Sequence, residues 1–420
     1  MGKTKRIKIE LYIQILIGMV LGIIVGFAAL AVGGAGFIQD WIKPWGQLFI
    51  HLLQLIAVPL VFVSLVKGVT GLHDISRFSR LGWKTLIFYI CTTIFAVLFG
   101  VLACTVVKPG ALVNKERAME IQKDYITLSS QKAEEAKAES NRGPLNFLDE
   151  VVPDNIVNAA SNNSKMLQVI FFAIFLGIAA LVVGEKATPV LQFFDSLNDI
   201  ILKMVDFIIK LAPYGVLALM AGLVTDFEGD ASIFSALGIY ALTVAISLIC
   251  LLLFFYPTLI RIFTHVKPGY FIRSMYPVQL FAFTTSSSAV TLPVNLNTVQ
   301  NKLKVSEEVS SFVLPVGVTI NMDGTSCYQA IAVIFIAQVL NIDLTLIQML
   351  TIIFMTVLSS IGTPGIPGGS YVILTMVLTS VGIPAEGLAL ILGIDRPLDM
   401  LRTSVNVTGD ATVACIVDGK

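Results

Sequence analysis

Asp399-Met400-Leu401-Arg402-Thr403-Ser404-Val405-Asn406-Val407-Thr408-Gly409-Asp410 is the stretch on which the reading of this chain turns. Asp399, Arg402, Thr403, Asn406 and Asp410 fall at i, i+3, i+4, i+7 and i+11, the spacing that sets side chains on one stripe of an α-helix. Apolar runs flank it, Leu388-Ala-Leu-Ile-Leu before and Ala414-Cys-Ile-Val after, so the helix reads as membrane-embedded. One charged residue at mid-membrane costs ~2.5–3.5 kcal/mol on insertion scales, and three on one stripe would cost on the order of 8–10 kcal/mol if they faced lipid. They must face protein, a cavity or bound ions. A buried Asp–Arg pair that fixes helix packing would satisfy part of the stripe. Asn406 and Asp410 carry it further, which indicates a binding site.

Composition agrees with a membrane setting. The chain has 420 residues, of which 56% are hydrophobic and 13% charged, against about 25% charged in average soluble domains. Net charge is zero, which gives no case for nucleic acid. Lys3, Lys5, Arg6 and Lys8 precede an apolar run over residues 11–32 that is long enough to span. With no convincing cleavage site, that run is expected to be a first span and not a signal peptide. The five cysteines (Cys91, Cys104, Cys250, Cys327 and Cys415) sit in apolar segments without metal-type spacing and are expected to be reduced packing residues. His51, His73 and His265 are scattered, which argues against a His-based metal site or catalyst.

Spans follow at about 11–32, 48–69 and 81–107. Gly18, Gly22 and Gly26 on the first predict close helix packing, and Trp41 and Trp45 suit an interface. Tyr89, Thr92 and Thr93 form a polar face on the third. Residues 108–164 break the pattern, with Glu134–Glu139 reading as a solvated helix or loop. Apolar segments return at 166–183 and 234–263, with a single partly polar helix expected over 190–224. The positive-inside rule puts the N-terminus and the basic 67–84 and 261–273 connections in the cytoplasm, and the 108–164 loop and the acidic 225–230 turn outside.

Two later stretches read as helical hairpins too interrupted to cross. One covers 271–296, broken between Thr284 and Pro293; the other covers 344–379, broken between Ser359 and Ser370. Spans that are polar in the middle follow each: residues 309–340, carrying Asn321-Met-Asp-Gly-Thr325, and the final helix. Hairpin–span–hairpin–span is the pattern of two inverted repeats in secondary transporters. Backbone that leaves helical geometry at membrane depth needs protein or water for its polar groups. Half-helix N-termini then offer N–H groups to anions and unwound carbonyls coordinate cations. Ser286–Ser288 supply donors for a carboxylate, and the glycines of 362–369 let a ligand approach the backbone. Asp323 needs a counter-charge, with Gly324 beside it expected to unwind the helix. Isolated aspartates among uncharged oxygens suit sodium. Arg402 suits a carboxylate and Asp399 an ammonium, so the pair fits aspartate or glutamate.

Ser286-Ser-Ser288 with Thr291-Leu-Pro293, Asn321-Met-Asp-Gly-Thr325, Ser360-Ile-Gly-Thr-Pro-Gly-Ile-Pro-Gly368 and Asp399-Met-Leu-Arg-Thr-Ser-Val-Asn-Val-Thr-Gly-Asp410 together resemble the sodium-coupled glutamate/aspartate transporters, the dicarboxylate/amino acid:cation symporters, in a prokaryotic form. The resemblance runs over nearly the whole chain apart from 108–164. It implies an all-α polytopic fold of eight transmembrane helices plus two re-entrant hairpins, in a homotrimer in the prokaryotic plasma (inner) membrane with both termini cytoplasmic. It divides the chain into scaffold helices (1–80 and 165–224), a transport-domain helix (81–107), an extracellular loop (108–164) and a transport core (225–420) that moves like an elevator. Substrate would meet Arg402, Asp399, Thr403, Asn406, Thr325, Ser286, Ser288, Ile366 and Gly369. More than one sodium ion would be carried: one among Gly317, Asn321, Asn406 and Asp410, a second at Thr319, Ser360, Ile361 and Thr363, a third at Tyr89, Thr92, Thr93, Asn321 and Asp323. The 344–379 hairpin would gate the outside.

Three departures stand out. Animal relatives place a glutamate linked to proton movement where Gln329 stands, so the same proton coupling is not expected from that position. Ser286 and Met400 occupy places where some relatives carry an extra arginine, and Pro364 stiffens the gate tip. Arg396 is near Asp399 in sequence, but nothing in the sequence assigns it to the site. A proton-coupled dicarboxylate carrier would leave Asp399 without an ammonium to pair, and a neutral amino acid carrier would leave Arg402 buried unpaired. An intramembrane enzyme would need a base beside Ser286–Ser288, and no histidine or lysine is near them.

Overall fold

A computed structural model describes residues 11–71, 79–113, 152–161, 165–360 and 369–419. The described residues form helices and no strands. Helix α1 (Leu11–Ala31) leads through a short turn and a π-helical segment (Ile38–Ile42) into α2 (Lys43–Gly71), and α3 is Ser79–Val107. Then come α4 (Met166–Val183), α5 (Thr188–Lys210) and α6 (Ala212–Asp226). Helix α7 (Ala231–Cys250) continues through a π-helical turn (Leu251–Phe255) into α8 (Tyr256–Phe263). Pro257 accounts for that turn, since it has no N–H and its ring crowds the carbonyl one turn back. By length and apolar composition alone, five described stretches can cross a membrane: Ile13–Ala31, Ala35–Lys67, Gly82–Leu112, Gln168–Lys210 and Ser232–Phe263.

The glycine stripe on α1 packs as its spacing predicts. A Cβ on Gly18 would strike the Pro213 carbonyl, one on Gly22 the Leu217 carbonyl, and one on Gly26 the Val224 side chain. Helix α1 can lie against α6 only because those three positions lack side chains. Where one helix was expected over 190–224 the structure has two, with the turn at Leu211. Pro213 is the cause: it cannot continue a helix but fits the first turn of a new one.

The last third is built from half-helices. The first hairpin is α9 (Pro268–Thr285) and α10 (Ser288–Asn301). Its break is shorter than the Thr284–Pro293 stretch suggests, with only Ser286 (left-handed, φ 49°) and Ser287 (extended) between the helices. Ser287 is the N-cap of α10, its Oγ accepting from the Val290 N–H at 3.3 Å, and Pro293 lies inside that helix. Next, α11 (Glu307–Ile320) and α12 (Asp323–Val339) are separated by Asn321 and Met322. The helix therefore breaks before Asp323, and Gly324 is inside α12, contrary to the expected unwinding at the glycine. The second hairpin is α13 (Leu346–Ser360) and α14 (Gly369–Ser380), and α15 (Asp395–Asp418) ends the chain. Ile361, Thr363, Pro364 and Ile366 at the second tip lie outside the described residues, as does most of 108–164, including Glu134–Glu139.

Helix α15 is the axis of this region. Asn295 donates to the Val407 carbonyl at 3.0 Å, Ser404 Oγ to the Gln279 carbonyl at 2.8 Å, and Gln279 Nε2 to Thr408 Oγ1 at 3.1 Å, so both arms of the first hairpin are clamped on it. Helix α15 is buried almost throughout, and Lys84 at the start of α3 donates to the terminal carbonyls of Ile416 and Val417.

Candidate functional site

The first turns of α15 hold four ionisable side chains in a row of pairs. Arg402 Nη2 donates to Asp395 Oδ2 at 2.9 Å and to Asp399 Oδ1 at 3.0 Å, and Arg396 Nη1 donates to Asp399 Oδ2 at 2.8 Å. The spacings i, i+3 and i+7 make this possible on one helix. Arg402 is fully buried, and its guanidinium carbon lies 3.8 Å from the centroid of the Tyr328 ring. Its Nε and Nη1 have no hydrogen-bond partner among the described residues. A buried Asp–Arg arrangement is thus present, and it is larger than the stripe from Asp399 implies. Extending that stripe back one turn would have reached both Asp395 and Arg396, at i−4 and i−3 from Asp399.

Next along the stripe, α12 meets α15. Asn406 Oδ1 accepts from the Gly324 N–H at 2.8 Å, and its Nδ2 lies 3.2 Å from both Thr325 Oγ1 and Met322 Sδ. A Cβ on Gly324 would collide with the Arg402 carbonyl, so glycine is what lets the start of α12 abut this helix. Arg402, Asp399, Asn406 and Thr325 are therefore gathered at one helix junction. Thr403 spends its hydroxyl on its own helix, donating to the Asp399 carbonyl at 2.9 Å. Ser286 and Ser288 are buried at the first hairpin tip, and among the described residues no hydrogen bond joins them to the stripe. Gly369 opens α14.

Deeper along α15 a second polar group forms around two carboxylates. Asp323 Oδ1 accepts from Thr93 Oγ1 at 2.8 Å and Thr92 Oγ1 at 3.3 Å, and its Oδ2 from the Tyr256 hydroxyl at 2.9 Å. Thr92 Oγ1 is also 3.3 Å from Asn321 Oδ1, and Asn321 Nδ2 donates to Asp410 Oδ1 at 2.9 Å. Tyr89 donates to the Val313 carbonyl at 2.8 Å, and a Cβ on Gly317 would strike Asp410 Oδ1 and the Tyr89 hydroxyl. Tyr89, Thr92, Thr93, Asn321, Asp323, Gly317 and Asp410 are thus brought together. The expected counter-charge for Asp323 is not a side chain: among the described residues hydroxyls and an amide, and no cationic group, meet Asp323 and Asp410. Two buried carboxylates with only neutral partners are costly, and a bound cation relieves that cost. Carboxylate, amide and hydroxyl oxygens are the donors that suit a hard ion.

The remaining expected ion site is divided. Ser360 Oγ donates to the Ile320 carbonyl at 3.3 Å, which joins the second hairpin to the open end of α11. Thr319 is exposed and turns its hydroxyl to the Val316 carbonyl, leaving its backbone as the group on offer. Ile361 and Thr363 lie outside the described residues. Tyr256, which supplies one of the three hydroxyls on Asp323, was missed. A tyrosine before Pro257 in an apolar run reads as core.

The model of the sodium:dicarboxylate symporter family matches residues 11–420. A proton/sodium-glutamate symport protein of Bacillus subtilis (strain 168) is 35% identical, over 98% of this chain and 93% of its own length. A proton/glutamate-aspartate symporter of Escherichia coli (strain K12) is 34% identical, over 98% of this chain and 93% of its own. Excitatory amino acid transporter 5 of Homo sapiens is 32% identical, over 89% of this chain and 75% of its own. A family model that matches residues 11–420 and relatives 32–35% identical over most of their length lead to one conclusion: this chain belongs to the sodium:dicarboxylate symporter family.

Proposed function

We propose that the protein is a sodium-driven symporter of acidic amino acids, glutamate or aspartate or both, and not an enzyme. The observation that carries the reading is Arg402, a buried guanidinium whose Nε and Nη1 have no partner among the described residues, beside the Asn406–Thr325 junction. A substrate carboxylate would fill those donors bidentately, and an ammonium would replace Arg402 on Asp399 Oδ1. Thr403, Ser286, Ser288, Ile366 and Gly369 would complete the substrate shell. Sodium is cargo among Gly317, Asn321, Asn406 and Asp410, among Tyr89, Thr92, Thr93, Asn321 and Asp323, and at Thr319, Ser360, Ile361 and Thr363. More than one ion travels with each substrate. Asn321 supports linkage, since it bonds Asp410 and adjoins the Asp323 group.

In the same reading the chain has eight spans and two re-entrant hairpins in inverted repeats. Residues 1–80 and 165–224 form a scaffold, and 81–107 and 225–420 an elevator-like transport core, with 108–164 as an outer loop. It works as a homotrimer in a prokaryotic plasma membrane. The contact of Lys84 with the end of α15 supports a C-terminus on the same, cytoplasmic side as the basic 67–84 connection. A second reading keeps the substrate and exchanges sodium for protons; the E. coli relative's name favours it. Uptake of labelled aspartate and glutamate into proteoliposomes separates the two. Accumulation under an inward sodium gradient is expected. Accumulation under a proton gradient alone, unchanged by sodium, would overturn the sodium reading and leave the substrate reading standing.

A further inference from the structure

Arg396 has no role in the site as proposed, yet it holds one of the two oxygens of Asp399. Its Nη1 lies 2.8 Å from Oδ2, while Arg402 Nη2 lies 3.0 Å from Oδ1 and 2.9 Å from Asp395 Oδ2. All four side chains are buried. Two carboxylates and two guanidiniums cancel formally, so the cluster is neutral only while Arg396 is present. Its reach to Asp399 is i to i+3 in the first turns of α15, where Pro397 sits at no cost to the helix hydrogen bonds.

That pairing has a consequence for Arg402. With Arg396 on Oδ2, Arg402 can leave Asp399 for a substrate carboxylate without stranding a bare buried carboxylate, and Oδ1 is left as the acceptor for an ammonium. Without Arg396, Asp395 and Asp399 share a single cation. The cluster then carries a net negative charge in an apolar setting, Arg402 is held harder, and an anionic ligand is opposed.

We propose that Arg396 is a specificity-determining positioning residue: by holding Asp399 Oδ2 it frees Arg402 for an anionic substrate side chain, and so favours an acidic amino acid over its neutral amide of the same shape. The inference rests on the proposed substrate class. It acts through Asp399 and needs no contact between Arg396 and the substrate.

The test uses the full chain and the variants Arg396→Gln and Arg396→Lys, with dissociation constants for aspartate and asparagine measured at saturating sodium. Removing one partner of a buried charge pair is expected to weaken aspartate binding on the order of 30-fold in Arg396→Gln. Asparagine should change far less, so the aspartate-over-asparagine preference falls by about tenfold or more. Lysine keeps the charge without the planar fork, and its preference should fall by about threefold. Either variant decides alone, so failure of Arg396→Gln to fold leaves the test intact. A preference unchanged from wild type, or equal weakening of both ligands, overturns the assignment, since a merely structural residue would affect both alike. Failure of the wild-type protein to bind aspartate at all would instead sink the substrate reading.

Discussion

Arg402 is kept in the interior by a particular balance: one nitrogen shared between two carboxylates, a tyrosine ring against its plane, and two nitrogens without partners among the described residues. Groups left that way are costly unless something pairs with them during function. Arg402→Cys is therefore expected to weaken aspartate binding on the order of 100-fold or more, the loss typical of removing one member of a buried ionic group. Calorimetry at saturating sodium checks this, and near-normal aspartate affinity would refute the pairing. Asp410 stands in the second group, with Asn321 Nδ2 at 2.9 Å and no cationic partner among the described residues. Asp410→Asn should raise the sodium concentration needed for half-maximal aspartate binding by about tenfold or more. An unchanged sodium requirement would remove Asp410 from the ion ligands.

At the scale of helices, small residues decide which elements can touch. Gly22 of α1 faces the Leu217 carbonyl and the Met220 side chain of α6, so Gly22→Val should cost about 1–3 kcal/mol through overpacking. Thermal unfolding in detergent should register a lower midpoint for it and little change for Gly36→Ala, a position with open space around it. This stripe was legible in the sequence because its period is that of a helix, and so was the run from Asp399 to Asp410, whose polar spacing stands out against apolar flanks. The breaks were legible only approximately. Ser287 shortens the first one by capping α10, and Asn321 and Met322 leave helical geometry with negative φ, which no glycine signals. Contacts between distant segments were legible only where the family resemblance implied them, as for Thr92 and Thr93 with Asp323. Tyr256 meets Asp323 across 67 positions of chain, and no local periodicity records such a meeting.

Across the whole molecule, the proposed scaffold and transport core share an interface around a cavity lined in part by Lys43, Gln47, Leu219, Asp226, Glu386 and Leu390. Lys43, Gln47 and Leu219 belong to the scaffold side of the proposed division, and Glu386 and Leu390 to the core; Asp226, 2.9 Å from Lys43, lies just inside the 225–420 segment at the boundary. If the core moves past the scaffold, a bridge across this cavity must stop transport while sparing the substrate site. Gln47→Cys with Glu386→Cys, in a background lacking the five native cysteines, is expected to lose uptake on cross-linking with mercury and to keep aspartate binding. Full-rate uptake by the cross-linked protein would exclude relative movement at this interface.

The linkage between the arginine group and the carboxylate group through Asn406, Asn321 and the start of α12 is the centre of the proposed mechanism, and binding without a membrane tests it most directly. Aspartate affinity of the purified wild-type protein can be titrated against sodium, with choline holding the ionic strength constant. Affinity should rise steeply with sodium, with a logarithmic slope greater than one because more than one ion binds with each substrate. Affinity that does not change with sodium would contradict the coupling of the two groups.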